Sequence, residues 1–236
     1  LECKDNAQHR IIQASIQLFS QKGYDGTRVA EIAQVAGVTK ALIYYYFKSK
    51  GEILDFLVQS FLDSITSIAM DFVNANIVRM IEEERLDIEP DKLHFTDAEA
   101  LAAFMENYHG YFEQVLDFAL EQRHTLRILM LESLKSSKHH NDLFKLLEMT
   151  REDEENVIFT TISQADSDFN YSDDMVVFHF FYSIIPLVSF AAYFDDYKAI
   201  SGMGEKELRA SFLRSFRITS ASLISEQDIL LQNNRE

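Results

Sequence analysis

Three observations on the sequence predict an all-α fold. Pro occurs twice and Gly seven times in 236 residues, whereas Leu, Ile, Phe, Glu and Ala are abundant, a composition that favours helices over sheets. Apolar residues recur every three or four positions along most of the chain, the period of a helix buried on one face. Residues 27–50, TRVAEIAQVAGVTKALIYYYFKSK, read as two short helices joined by a tight turn. The expected architecture is an N-terminal helix-turn-helix three-helix domain over residues 1–49, followed by a larger helical domain over residues 50–236.

The first helix is expected from Asn6 to Lys22, with Ile11, Ile12, Ala14, Ile16, Leu18 and Phe19 turned inward. The second runs from Thr27 or Arg28 to Ala36, and Val29, Ile32, Ala33 and Ala36 share one face. Gly37 stops it, because the backbone there must turn through a conformation that costs other residues more. Val38 plugs the turn. Thr39 is a good N-cap for a third helix, Lys40 to Phe47, which buries Leu42, Ile43 and Phe47. Ala33 lies four residues before Gly37 and Ile43 six after it. Helices cross closely only over a small side chain, so this spacing marks a helix-turn-helix. Lys40, Tyr45, Tyr46 and Lys48 on the outward face can donate hydrogen bonds to phosphates and base edges.

At these residues the chain resembles the DNA-binding domain of the TetR (tetracycline-repressor-like) transcriptional regulators. The resemblance rests on Phe19, Gly23-Tyr24, Thr27, Ile32-Ala33, Ala36-Gly37-Val38, Tyr44, Tyr45, Phe47 and Ser49-Lys50, and spans about the first fifty-five residues. Tyr46 departs from the pattern, since the family often has His there, so its contact stays open between phosphate and base. The remainder matches only in helical character and length. The resemblance implies a ligand-responsive, homodimeric regulator, a repressor of a palindromic operator in double-stranded DNA that a small-molecule effector releases.

Charge fits that expectation once the chain is divided. Residues 1–50 carry +3 and the rest −19, within a total of −16. A modestly basic head on an acidic body is the asymmetry expected when only the head meets phosphate. Thr27, Arg28, Tyr44 and Lys50 are expected at phosphates, Lys50 aided by the positive end of the helix it begins. Lys40, Ala41 and Tyr45 are expected at bases, and Thr39 at the cap beside the DNA backbone.

Ser49-Lys50-Gly51-Glu52 has the form of a capping box, so a long fourth helix starts near Lys50. Its apolar positions Ile53, Leu57, Phe61, Ile65, Ile68 and Phe72 make it the link between head and body. Residues 81–96, charged and containing Pro90, read as an exposed loop or partly helical insertion. Asp97 caps a fifth helix to about Phe118. Helical runs follow at His124–Leu134 and Asp142–Gln164, a loop at Asp166–Ser172, and long helices at Asp173–Tyr197 and Glu205–Leu231.

Met175 to Phe194 is long and apolar enough to span a membrane, yet it contains His179, Ser183, Pro186 and Ser189 and is flanked by aspartates. It is read as a helix buried against the core and a partner subunit, with no membrane involved. The last helix offers a seam at Leu208, Phe212, Phe216, Thr219 and Leu223, and the pair would form half of a two-fold four-helix bundle. By resemblance, the family's last two helices make its dimer interface. Phe104, Tyr108, His109, Tyr111 and Phe112, facing Phe178, Phe181 and Tyr182, are the candidate lining of an apolar or aromatic effector pocket, with core packing as the alternative.

Two Glu-x-x-His pairs, Glu106/His109 and Glu121/His124, raise the alternative of a helical small-molecule-binding scaffold or di-iron-type carboxylate enzyme. They lie fifteen residues apart without clear partner glutamates, and surface ion pairing explains them better. His139-His140 reads as a loop dipeptide without zinc-ligand spacing. A single cysteine, Cys3, excludes an internal disulfide framework and fits a reducing cytoplasm, and the polar N-terminus lacks a signal-peptide core. No enzyme, cofactor or metal is expected, and the location expected is cytoplasmic.

Overall fold

The computed structural model describes residues 2–89, 92–225 and 228–230. Pro90, Leu231 and the side chain of Cys3 lie outside the described residues. Packing divides the chain into two compact units, residues 1–64 with 121–145, and residues 65–120 with 146–236.

The first unit contains α1 (Glu2–Gly26), α2 (Val29–Ala36), α3 (Lys40–Tyr46), the start of α4 (Lys50–Phe72) and α7 (Arg123–Ser133). Helix α1 runs four residues beyond the expected end and breaks at Gly23, whose φ of 78° glycine adopts without a Cβ clash. Ile11, Phe19, Ile32 and Ile53 are fully buried, and α7 packs along α1. Burying side chains of this size contributes about 1.5–3 kcal/mol each. Helix α4 begins at Lys50 with half of the expected capping box: Glu52 N–H donates to Ser49 Oγ at 3.1 Å, while the Glu52 carboxylate accepts from Lys48 N–H.

In the second unit α4 continues into a π-helical turn, Val73–Val78, and α5 (Arg79–Glu82). Asn74 and Asn76 explain the widened turn. Their amides donate to the carbonyls of Met70 and Phe72, acceptors that α-helical backbone donors would otherwise hold. Residues 81–96, expected as a loop or partly helical insertion, begin with the end of α5 and then contain two antiparallel strands, β1 (Leu86–Glu89) and β2 (Lys92–Phe95), with Leu86 and Ile88 buried and Asp87 and Glu89 exposed. The chain end joins them through β3 (Ile224–Ser225) and β4 (Asp228–Leu230), in the antiparallel order β1-β2-β4-β3. Leu93 lies opposite both Ile88 and Ile229. The last helix therefore ends earlier than expected, as α12 (Glu205–Ala221), because this sheet buries Ile224 and Ile229 against the core around Phe95 and Phe104. The fold remains predominantly helical, with this small sheet added.

Helix α6 (Ala98–Glu121) starts where expected, Asp97 Oδ1 accepting from Ala100 N–H at 2.7 Å. The single helix expected over 142–164 divides into a 3₁₀ stretch, Asp142–Thr150, and α8 (Val157–Ala165). Asn156 causes the break. Its side chain accepts from Ile158 N–H and donates to the carbonyls of Met149 and Arg151, tying the two ends together. The helical run from Asp173 comprises α9 (Asp173–Phe178), a π-helical segment His179–Ile184 and α10 (Ile185–Ala192), before α11 (Phe194–Ser201). Pro186 has no N–H for the preceding turn, and the π segment absorbs the missing bond. Helices 50–82 and 173–192 are long and apolar enough to cross a membrane by length and composition alone.

Candidate nucleic-acid interface

The geometry of the turn between α2 and α3 is set by Gly37, at φ 63° and ψ 41°, the left-handed region. Gly37 N–H donates to Gln34 O at 3.2 Å and Val38 N–H to Ala33 O at 2.9 Å, closing the end of α2. Thr39 Oγ1 accepts from Leu42 N–H at 3.2 Å and starts α3. Ala33, Ala36, Ile43 and Phe47 are buried, so the helices cross over small residues and the opposite face of α3 is turned out. At the start of α2, Glu31 accepts from Arg28 N–H at 2.8 Å and pairs with Lys22 at 2.7 Å. The Lys22 hydrogen bond, with that of Arg28, holds the Glu31 carboxyl below the usual carboxylate range.

The residues expected at DNA separate into two sets. Arg28, Thr39, Lys40, Ala41, Tyr44 and Tyr45 are exposed, as is Lys48, and Tyr46 is half-buried against Tyr45, with ring centroids 5.1 Å apart. Tyr44 and Tyr45 expose 54% and 64% of their surface, unusual for rings on a seven-residue helix and suited to phosphate and base contact. Thr27 and Lys50 face inward. Thr27 is 1% exposed, and its hydroxyl donates to Gly23 O at 2.9 Å. Lys50 Nζ donates to Tyr24 O at 2.6 Å and Thr27 O at 2.9 Å and lies 4.1 Å from the centre of the Tyr24 ring. Burial depresses the Lys50 pKa. Both residues close the α1–α2 junction. The sequence marked them as important but carried no sign of which way they face.

The expected effector residues also divide. Phe104 and Phe112 are buried, while Tyr108, His109 and Tyr111 are half-buried. Phe72 at the end of α4 joins them, its ring 4.5 Å from Tyr111 and 6.2 Å from both Phe104 and Tyr108. Tyr108 hydrogen-bonds Ser183, and burial raises its pKa. In the same π segment, burial lowers His179 to a pKa of about 4. His109 turns to α12, its Nε2 3.0 Å from Ser220 Oγ. Phe178 is half-buried, whereas Phe181 and Tyr182 are exposed at 56% and 60%, so they do not join the aromatic group around Phe72. Phe72 and Ser183 were missed as members of this group; only the helix-face periodicity of Phe72 hinted at one of them.

The expected seam of α12 points into its own unit. Leu208 is buried, Phe212 stacks on Phe190 at 4.1 Å, and Phe216 stacks on Phe112. Thr219 is exposed and Leu223 lies beyond the helix end. The outward large apolar residues of the last helices are instead Val177, Phe181, Tyr182, Tyr193, Tyr197, Ile200 and Ile218. Glu106, Glu121 and His124 are exposed. None of the Glu-x-x-His residues belongs to the metal-compatible grouping found among the described residues, which is Asp55, His139 and Asp142.

Comparison with known proteins agrees with the geometry of the head. Residues 11–56 match the family described as "Bacterial regulatory proteins, tetR family". Over 83 residues the chain is 37% identical to the "Probable HTH-type transcriptional regulator YttP" of Bacillus subtilis (strain 168), covering 35% of this chain and 40% of that protein. Over 61 residues it is 43% identical to IcaR of Staphylococcus aureus (strain Newman), the "Biofilm operon icaADBC HTH-type negative transcriptional regulator", covering 26% of this chain and 33% of that one. The chain thus matches less than half the length of these relatives. A solved structure described as a "Clostridium perfringens putative fatty acid metabolism regulator" shares the fold, with TM-score 0.56 and 20% identity over 89% of this chain and 95% of that one. The crossing of α2 and α3 over Ala33, the turn at Gly37 and the match across residues 11–56 together show that the chain carries the N-terminal helix-turn-helix domain of the tetR family of bacterial regulatory proteins.

Proposed function

We propose that the protein is a cytoplasmic, ligand-responsive transcriptional regulator, a repressor that binds a palindromic operator as a homodimer and is released by a small molecule. The observation that carries this reading is the outward face of α3, where Lys40, Ala41, Tyr44 and Tyr45 stand exposed on a helix fixed by the Gly37 turn. Residues 1–49 form the DNA-binding domain, and residues 50–236 bind effector and partner. Lys40, Ala41 and Tyr45 read bases. Arg28 and Tyr44 hold phosphate, and Tyr46 lies within reach of either. Thr27 and Lys50 keep the head in shape. Negative regulation by IcaR supports the repressor reading.

An effector held near Phe72, Tyr108 and Tyr111 would meet aromatic faces and the Tyr108–Ser183 pair, which favours an uncharged, largely apolar or aromatic molecule. It releases DNA only by binding the non-competent arrangement more tightly than the DNA-competent one.

Selection from random duplexes tests the reading. The expected product is an inverted repeat whose half-sites are separated by about 34–36 Å or a multiple of that. Failure to enrich any repeat would remove the proposal.

A further inference from the structure

Away from the recognition face, the first unit buries a histidine beside two carboxylates. His139 is 3% exposed, and its Nδ1 lies 2.8 Å from Asp142 Oδ2 and 3.9 Å from Asp55 Oδ1. Asp142 is nearly buried, whereas Asp55 on α4 opens to solvent. Lys145 Nζ pairs with the other oxygen of Asp142, Oδ1, at 2.9 Å, leaving Oδ2 to the histidine. One ligand atom from each of Asp55, His139 and Asp142 lies within 4.8 Å of the others.

A second observation comes from the other ring nitrogen. His139 Nε2 is buried without a hydrogen-bond partner, and the ring packs edge-to-face with Tyr24 at 4.7 Å. If the neutral ring keeps its proton on Nδ1 for Asp142, Nε2 is left as a buried lone pair, at a cost of about 1–3 kcal/mol. If the proton moves to Nε2, the bare lone pair of Nδ1 faces a carboxylate oxygen at 2.8 Å. A cation at Nδ1 removes the conflict. Nδ1 and both carboxylates then coordinate it, and Nε2 carries the proton beside an aromatic ring, which N–H groups tolerate.

We propose that Asp55, His139 and Asp142 form a binding site for a divalent first-row transition-metal ion of the zinc, cobalt or manganese type, with solvent completing the coordination. One imidazole nitrogen with two carboxylates selects such ions over calcium and magnesium. Ligand atoms 2.0–2.2 Å from a shared tetrahedral ion stand about 3.3–3.6 Å apart. The separations present, from 2.8 Å to within 4.8 Å, bracket that value, so small side-chain shifts suffice. The exposed carboxylate of Asp55 provides entry. Bound there, the ion ties α4 to the segment that follows α7. The competing occupant of Nδ1 is a second proton, which would make an imidazolium–carboxylate pair.

Titrating the untagged full chain with Co²⁺, read by its visible absorption and by displacement with Zn²⁺, separates the two. The expected result is one saturable equivalent, an affinity at least about tenfold weaker in Asp55→Asn, and loss of the band in His139→Gln. Asp55→Asn alters an exposed side chain, so its thermal melt checks that the fold is kept. No saturable band in the native chain, or unchanged affinity in both folded variants, would overturn the site.

Discussion

The ammonium of Lys50 donates to the carbonyl of Tyr24 at 2.6 Å and lies 4.1 Å from the centre of that residue's ring. One side chain thus fastens the first residue of α4 to the end of α1, and a second bond to Thr27 O at 2.9 Å extends the clasp toward α2. An exposed lysine at this position would have served phosphate. An inward one ties the start of α4 to the α1–α2 junction.

Lys50→Ala and Lys40→Ala should therefore differ in kind. Removing Lys50 leaves two carbonyls without their cation and should cost roughly 1.5–3 kcal/mol of stability, while the slope of log K against log salt stays at its native value. Removing the exposed Lys40 should leave the melting curve nearly unchanged, alter operator preference and lower that slope by about one if Lys40 also neutralises a phosphate. Salt titrations of DNA binding, with thermal melts, check both. A drop in slope for Lys50→Ala would return that residue to the DNA.

Stability should fall on mild acidification because of His179. Burial lowers its pKa to about 4 from the ordinary value near 6.5, so between these values the unfolded chain binds a proton that the folded chain refuses. The contribution is complete above pH 6.5 and is lost as pH falls toward 4. Part of the ring stays accessible, so the effect is set at about 1–3 kcal/mol. Urea melts across this window should show the slope in the native chain and a smaller one in His179→Gln. Identical slopes would argue against a buried neutral imidazole.

Arg209 joins α12 to α6 with three bonds, to Asp117 at 2.6 and 2.8 Å and to Glu113 at 2.7 Å. These bonds raise the pKa of the guanidinium above its already high ordinary value. The two acids lie one turn apart on α6, a spacing that suits a planar fork. Arg209→Ala should cost about 1 kcal/mol, since the cluster is partly exposed, and Arg209→Lys should recover only part of that. Chemical denaturation gives both values, and full rescue by lysine would show that charge alone matters.

Asn156 is nine-tenths buried, and its amide makes four bonds to backbone groups on both sides of the break before α8. Asn156→Ala should destabilise the second unit by about 2 kcal/mol, while Asn156→Asp, which keeps the acceptor and loses the donors, should fall between. Equal stability of all three forms would mean that the break at residues 151–156 is maintained by packing instead.

The parts legible in the sequence are those governed by neighbours along the chain. Gly37, Thr39 and Asp97 act within three or four residues, and the helices they delimit begin or end where expected. The alternation Leu86-Asp87-Ile88-Glu89 was also present, but four residues of strand pattern beside Pro90 carry little signal. The strands persist because β4, some 135 residues further on, completes the ladder, and α12 stops early for the same reason. The pocket and interface residues were chosen by spacing, which groups aromatic rings on a helix without saying which way that helix is turned. Hence Leu208 is buried and Phe216 stacks on Phe112 within its own unit, whereas Phe181 and Tyr182 are exposed.

The sequence by itself determined the helix-turn-helix, its basic and tyrosine-rich outer face, and the mainly helical body, because capping, glycine conformation and apolar period are local properties. Only the tertiary structure decided that Lys50 and Thr27 turn inward. It also brought Asp55 to His139 and Asp142, across more than eighty residues of chain, and buried one histidine of what the sequence offers as a loop dipeptide. Side-chain direction and long-range meetings depend on how whole helices pack, and no stretch of sequence contains that packing alone.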